Sequence, residues 1–197
     1  MSNVSTKTSY LVKLSLLAAI SVVLMYLEFP LLPAFPWLKI DGSDLPALIG
    51  SFAFGPITGV AIEALKNVLI ILIKGTETAG IGQLANFIIG ATFVGTAGMI
   101  YKYKKTRTNA IISMAVATVV MSIIGIFANI FILIPLYMPG MSSADLMNYV
   151  TKGIVPFNLI KGLGVSIITL LVYKRISVII NREGFQYEGE KISKKTA

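Results

Sequence analysis

The amino-acid sequence predicts an all-α integral membrane protein of six transmembrane helices, with an outer lid loop between the first two. Two compositional observations predict this class: the mean hydropathy is +0.82, and only 13% of the residues are charged. Soluble domains carry about 25% charged residues. The third observation is that the basic residues gather beside long apolar segments, as membrane topology signals do. A soluble globular domain and a nucleic-acid partner are therefore excluded, and the lipid bilayer is the first expected partner.

The residue types that are missing exclude most catalytic chemistry. The 197 residues include no cysteine and no histidine, which excludes disulfide frameworks, thiolate zinc sites and the usual general base. The sequence also lacks a Walker lysine motif and a GxGxxG turn, so the chain cannot hydrolyse ATP by itself. We expect no enzymatic activity, no metal site and no cofactor.

Five long apolar segments predict transmembrane helices, because about 20 apolar residues cross a hydrocarbon core of ~30 Å. In chain order they cover residues 11–27, 56–73, 81–101, 110–134 and 154–180. No small-x-small cleavage site follows the first segment before the proline-rich loop, so we interpret it as a retained helix rather than a secretory signal.

A sixth segment, residues 45–54, is apolar but short, and it ends at a Gly55-Pro56 pair that would break a helix. If it crosses, both termini and the basic loop 102–107 share one side, together with most of the 17 basic residues. If it does not cross, that loop and the tail lie outside, against the positive-inside rule. We therefore predict a single six-helix domain over residues 1–180 and a polar cytoplasmic tail over residues 181–197, with both termini in the cytoplasm.

The outer loop over residues 29–44, FPLLPAFPWLKIDGSD, is too apolar to stay solvated. It holds three prolines, two phenylalanines and the only tryptophan. It could lie among the lipid headgroups as an aromatic belt, or fold over the helices as a lid. We favour the lid, because prolines reduce the entropy that a loop loses on ordering.

Several polar side chains fall inside the predicted spans, where a charge costs roughly 2.5–3.5 kcal/mol on insertion scales. Glu63 and Lys66 lie three residues apart, so they could be a structural ion pair or a functional one.

Lys161 has no acidic residue in its own span and shares a helix face with Asn158. We interpret Lys161 as an unpaired ammonium that serves a ligand, with snorkelling to the outer interface as the alternative.

Asn129, in the fifth span, is either interhelical glue or a ligand contact. Phe127, Phe131 and Tyr137 would place flat surfaces beside it, so amides plus aromatic rings suit a planar heterocycle with hydroxyl and carbonyl groups.

On the first span, the small residues Ser15 and Ala19 form a stripe that favours close helix packing. The helix packed against this stripe could belong to this chain or to a partner protein.

The stretch WLKIDGSDLPALIGSFAFGPITGVAIEALKNVLIIL at residues 37–72, followed by GQLANFIIGATFVG at residues 82–95, resembles the substrate-binding S components of energy-coupling-factor (ECF) vitamin transporters. The blocks LKIDGSDLPAL and FGPITG are most similar to the riboflavin-specific branch. The resemblance covers nearly the whole chain.

This resemblance implies a multi-pass protein of a prokaryotic plasma membrane that captures riboflavin from outside. It implies a transmembrane coupling protein and two cytoplasmic ATPases as partners. The vitamin would be held by the loop and the outer halves of the later helices, at Lys39, Ser43, Ala47, Asn129, Asn158 and Lys161, with Asn86 as a further candidate. Leu38 and Trp37 would cover the ring. Such proteins carry an Ala-xxx-Ala pair on the first helix as the coupling surface, and this sequence has Ser15 and Ala19 there.

Two alternatives remain at this stage. The chain could be an S component for another vitamin, or a self-sufficient carrier or scaffold. The absence of an internal repeat argues against the carrier.

Overall fold

Helices account for most of residues 6–76 and 78–173, the part of the chain that the computed structural model describes. The first half contains, in order, α1 (Thr6–Tyr26), β1 (Phe29–Pro30), β2 (Lys39–Ile40), α2 (Asp44–Phe54), α3 (Pro56–Lys74) and α4 (Ile81–Tyr103). The two short strands pair antiparallel, with Phe29 opposite Ile40. The loop over residues 29–44 is therefore a hairpin rather than irregular chain throughout.

The second half contains two long helical segments, each with an internal π-helical stretch. The first comprises α5 (Arg107–Ala128), a π-helix (Asn129–Leu133) and α6 (Ile134–Tyr137). The second comprises α7 (Ser143–Tyr149), a π-helix (Val150–Ile154) and α8 over residues 155–173.

The six-helix architecture confirms the predicted fold class. Within the described residues, five helical segments are long and apolar enough to cross a membrane, and α2 is a shorter apolar helix of 11 residues. The last segment begins at Ser143 rather than at residue 154, because the Ser142 hydroxyl caps it by accepting a hydrogen bond from the Asp145 amide. The predicted end of this span at residue 180 and the tail 181–197 lie outside the described residues.

The short helix α2 folds back and packs antiparallel against α3. Gly55, at a φ of 103°, supplies the reversal, and Pro56 starts α3 at a position where no intrahelical N–H is needed. A Cβ built on Gly59 would lie 2.6 Å from the Cβ of Ser51, so only glycine allows the two helices to approach this closely. At about 16 Å, α2 reaches only half-way along the antiparallel α3, so its first residue, Asp44, lies beside the middle of α3.

Aromatic contacts define one end of the bundle, here named the Gly55 end. Tyr10 packs edge-on against Phe54 at 5.6 Å, and Phe52 stacks on Tyr101 at 4.2 Å. The hydroxyl of Tyr101 lies 2.9 Å from that of Tyr173. The start of α1, the end of α4 and the last described turn of α8 therefore share this end. Its orientation across the membrane stays a prediction.

Both π-helical stretches end just before a proline, at Pro135 and Pro156. Proline has no backbone N–H and its ring clashes with the carbonyl four residues earlier, so the regular ladder of hydrogen bonds widens there. The two stretches lie at the end of the bundle opposite Gly55, here named the hairpin end, beside the cavity described next.

Candidate functional site

A cavity of about 130 Å³ lies at the hairpin end, between the hairpin and the polar centre of the bundle. The hairpin contributes Trp37, Leu38 and Lys39, and the start of α4 with its preceding loop contributes Thr78, Ile81, Gly82, Ala85, Asn86 and Ile89. The two long helical segments contribute Asn129, Leu133, Ile134, Met138, Tyr149, Phe157 and Lys161. The cavity is thus mostly apolar with a few convergent polar groups, as small-molecule sites are.

A second, more polar cleft of about 430 Å³ adjoins the cavity and shares Trp37, Lys39, Thr78, Gly82 and Asn86 with it. Glu28 and Lys74 also line this cleft. One carboxylate oxygen of Glu28 accepts from Lys74 at 2.7 Å and from Lys39 at 3.2 Å. This shared contact joins the hairpin to the ends of α1 and α3.

Three aromatic rings fix the hairpin over the cavity. Trp37 donates its indole N–H to the hydroxyl of Tyr149 at 3.0 Å, and Phe35 packs edge-on against both rings at 5.9 and 5.2 Å. A Cβ built on Gly153 would lie 3.1 Å from the Phe35 ring, so this glycine leaves the space that Phe35 occupies. The hairpin therefore forms one wall of the cavity.

Lys161 lies at the floor of the cavity, and the expectation that it is unpaired is wrong. Its ammonium nitrogen lies 3.2 Å from Oδ2 of Asp44, and both side chains are almost completely buried. The sequence could not show this partner, because Asp44 is contributed by α2 and lies more than a hundred residues earlier. Snorkelling does not describe Lys161, since its side chain is 2% exposed.

A second buried lysine anchors the same carboxylate. Lys66 donates to Oδ1 of Asp44 at 2.5 Å and to the hydroxyl of Ser43 at 2.7 Å, and it lies 2.8 Å from Oε2 of Glu63. The expected Glu63–Lys66 ion pair is confirmed as part of this larger cluster. With all four groups ionised, the charges of Asp44, Glu63, Lys66 and Lys161 cancel, which reduces the cost of burying them.

Two asparagines face the cavity with part of their hydrogen-bonding capacity already used. Asn129 donates through Nδ2 to the carbonyl of Gly125 at 2.8 Å, which leaves its Oδ1 as an acceptor. Oδ1 of Asn86 lies 3.5 Å from Nδ2 of Asn67, which leaves the Asn86 amide nitrogen as a donor. A ligand that offers both donors and acceptors matches this arrangement.

Of the nine residues predicted to contact the ligand, six line the cavity: Trp37, Leu38, Lys39, Asn86, Asn129 and Lys161. Ser43 and Ala47 do not line it, because Ser43 bonds to Lys66 and Ala47 is fully buried in the core. Asn158 is also fully buried, and neither its Nδ2 nor its Oδ1 has a hydrogen-bond partner among the described residues. Its role as a contact stays a prediction.

The expected aromatic surfaces near Asn129 are wrong in part. Phe127 and Phe131 stack on each other at 6.1 Å on the outside of the bundle, where they are 55% and 70% exposed. The side chain of Tyr137 lies outside the described part of the structure. Among the described side chains, the rings that line the cavity are those of Trp37, Tyr149 and Phe157.

Sequence reasoning missed Tyr149, Phe157 and Asp44. Pro135 and Pro156 interrupt apolar segments, and this signal could have directed attention to Tyr149 and Phe157, which lie within seven residues of Pro156. Asp44 carried no signal of its own, because it stood at the boundary between a loop and a short helix.

The predicted docking residues Ser15 and Ala19 are exposed on α1. Their neighbours Val12, Leu16 and Val23 are exposed by 61%, 60% and 62%, so this face of α1 is apolar and largely uncovered by the other described elements. Such a face suits either lipid or another membrane helix.

Comparison with known proteins identifies the family. The model of the substrate-specific component of ECF transporters matches residues 9–173, which include the whole cavity. The chain belongs to this family.

Individual relatives agree with this membership of the S-component family. The riboflavin transporter RibU of Staphylococcus aureus (strain TCH60) is 38% identical over 87% of this chain and 92% of its own length. The riboflavin transporter FmnP of Bacillus subtilis (strain 168) is 36% identical over 90% of this chain and 96% of its own. A solved S component of a bacterial ECF transporter superposes with a TM-score of 0.76 at 36% identity, covering 88% of this chain and 98% of that one.

Within residues 6–76 and 78–173, no group of three acidic side chains is arranged to hold a metal ion.

Proposed function

We propose that this S component binds riboflavin at the cavity beneath the hairpin and delivers it to an ECF module for ATP-driven uptake. The two relatives described above are named riboflavin transporters, and each is aligned over nearly its whole length. The observation that carries the proposal is the pairing of aromatic walls with fixed amide and ammonium groups in one buried cavity. Riboflavin offers a flat ring with carbonyl and N–H groups and a chain of hydroxyls.

The ligand would occupy both the cavity and the adjoining cleft. The cavity, at about 130 Å³, is smaller than the roughly 300 Å³ at which small-molecule sites begin, so the ligand would reach into the cleft. Trp37 and Leu38 would cover the ring. Lys39, Asn86, Asn129 and Lys161 would bond its carbonyls and the ribityl hydroxyls, and Asn158, whose amide has no hydrogen-bond partner among the described residues, would contribute after a small rearrangement.

The hairpin end would face the outside of a prokaryotic plasma membrane, and the Gly55 end the cytoplasm. The basic loop at residues 102–107 and the start of α1 lie at the Gly55 end, as the positive-inside rule requires for a cytoplasmic end. The hairpin would then act as a lid that closes on a ligand captured from outside.

Energy would come from the partners, a transmembrane coupling protein and two cytoplasmic ATPases. The sequence contains no nucleotide-binding motif. Ser15 and Ala19 would form the contact with the coupling protein, since small side chains let two helix backbones approach closely.

Uptake of radiolabelled riboflavin into vesicles tests this proposal. We expect accumulation when the chain is reconstituted with its ECF module and ATP is supplied on the ATPase side, and none when the chain is alone. An excess of unlabelled riboflavin should abolish the signal, whereas thiamin or biotin should leave it unchanged. Accumulation by the isolated chain would indicate a gradient-driven carrier, and competition by another vitamin alone would indicate a different substrate.

A further inference from the structure

We propose that Asp44 is a positioning residue for the ligand: it holds the Lys161 ammonium at the floor of the cavity without contacting the ligand itself. The inference rests on the proposed function, because it assumes that Lys161 contacts riboflavin. Asp44 does not line the cavity, whereas Lys161 does.

Lys66 holds the Asp44 carboxylate in place. Lys66 has three N–H donors, and three acceptors surround it: Ser43 Oγ at 2.7 Å, Asp44 Oδ1 at 2.5 Å and Glu63 Oε2 at 2.8 Å. Lys66 is completely buried, does not line the cavity, and spends two of its donors on Ser43 and Asp44, so it is not placed to contact a ligand. Its role is to hold Asp44, whose side chain is 1% exposed.

The second carboxylate oxygen then sets the position of Lys161. Oδ2 of Asp44 lies 3.2 Å from the Lys161 ammonium, which uses at most one of its three N–H donors. The other donors can be turned towards the cavity. A lysine side chain has four rotatable bonds, so without this anchor the ammonium would sample several positions and bind a ligand at a greater entropic cost.

The position of Asp44 in the chain connects this anchor to the hairpin. Asp44 begins α2, only four residues after the end of β2, and β2 contains Lys39, which lines the cavity. A shift of the hairpin that moved the start of α2 would therefore also move the Lys161 ammonium. Asp44 thus links closure of the hairpin to the floor of the site.

A double-mutant cycle on riboflavin affinity tests the inference. Asp44→Asn should weaken binding about tenfold, the order expected when a charge-assisted contact is misplaced. In a Lys161→Met background, the same change should have no further effect, because the residue through which Asp44 acts is absent. A tenfold loss that persists in the Lys161→Met background would overturn the proposal.

Two further variants separate positioning from a general role in stability. Glu63→Gln removes a charge from the same cluster but does not touch Lys161, so it should lower Tm and leave affinity within about twofold of wild type. Asp44→Asn combined with Lys66→Met removes one charge of each sign, which keeps the cluster balanced if the single variant fails to fold. This pair should weaken binding to the extent expected for Asp44→Asn, and wild-type affinity in it would refute the proposal.

Thermal unfolding without ligand distinguishes failure of this inference from failure of the proposed function. Asp44→Asn and Lys161→Met together should lower Tm by less than the sum of the single effects, because each single variant leaves the buried cluster with one unbalanced charge, whereas the double variant leaves it neutral. If that coupling is present but wild-type protein binds no riboflavin, the proposed function is wrong and the positioning role falls with it. If wild-type protein binds riboflavin and the two affinity effects add, only the positioning role is wrong.

Discussion

Replacing Gly90 by alanine would place a methyl group against the carboxylate of Glu63. A Cβ built on Gly90 would lie 2.7 Å from Cδ of Glu63, well inside van der Waals contact. The carboxylate cannot retreat freely, because its Oε2 lies 2.8 Å from the Lys66 ammonium. Gly90→Ala therefore tests whether the buried charge cluster has the geometry described.

The expected effect follows from two opposing terms. Alanine in a helix interior stabilises by up to about 1 kcal/mol relative to glycine. Overpacking in a tight core costs about 1–3 kcal/mol, and a displaced buried ion pair costs up to about 3–5 kcal/mol. The net free energy of unfolding should fall by about 1–3 kcal/mol, a loss of several degrees in Tm for a chain of this length.

Gly95→Ala provides the matched control on the same helix. A Cβ built there would lie 3.4 Å from Cγ2 of Val60, an ordinary contact, so this variant should keep or slightly raise Tm. Thermal unfolding of both variants in the same detergent, without ligand, makes the comparison. Glu63→Asp in the Gly90→Ala protein shortens the carboxylate side chain and should recover part of the loss.

Equal Tm values for Gly90→Ala and Gly95→Ala would refute the reasoning. They would mean that Glu63 does not lie against α4, and the cluster would then need another arrangement.

Three further predictions concern the ligand, the topology and the partner. Lys161→Met should weaken riboflavin binding roughly ten- to hundredfold, measured by quenching of flavin fluorescence, while Lys152→Met, at an exposed position of the same helical segment, should not. Unchanged affinity in a folded Lys161→Met protein would remove this lysine from the site. A single cysteine at Thr106 should react with an impermeant reagent only from the cytoplasmic side, and labelling from outside intact cells would contradict the predicted orientation. Ala19→Trp should abolish uptake and association with the coupling protein but preserve riboflavin affinity, whereas unaltered uptake would place the docking surface elsewhere.

Much of the fold could be predicted from the sequence because apolar length and the placement of basic residues are local signals. The turn between α2 and α3 is an instance, since Gly55 and Pro56 mark it directly in the sequence. The π-helical stretches were not predicted. Pro135 and Pro156 were visible, but a proline can kink, end or widen a helix, and tertiary packing decides among these outcomes.

The candidate site was predictable only in part, because its residues come from four separate regions. Lys161 and Asn129 stood out as polar groups inside apolar segments, and both line the cavity. The pairing of Lys161 with Asp44 depends on where α2 starts relative to α3, which no local pattern reports. Phe131 shows the opposite error, since an aromatic residue near Asn129 in sequence can point to the other side of the helix.

Titration of the isolated, flavin-free chain with riboflavin tests the central claim most directly. We predict saturable quenching of flavin fluorescence with one binding site per chain, and a yellow protein that keeps its flavin through gel filtration. An excess of a chemically unrelated vitamin should not displace it. If folded wild-type protein quenches no flavin fluorescence at any concentration, the chain does not capture riboflavin, and the proposed function is contradicted.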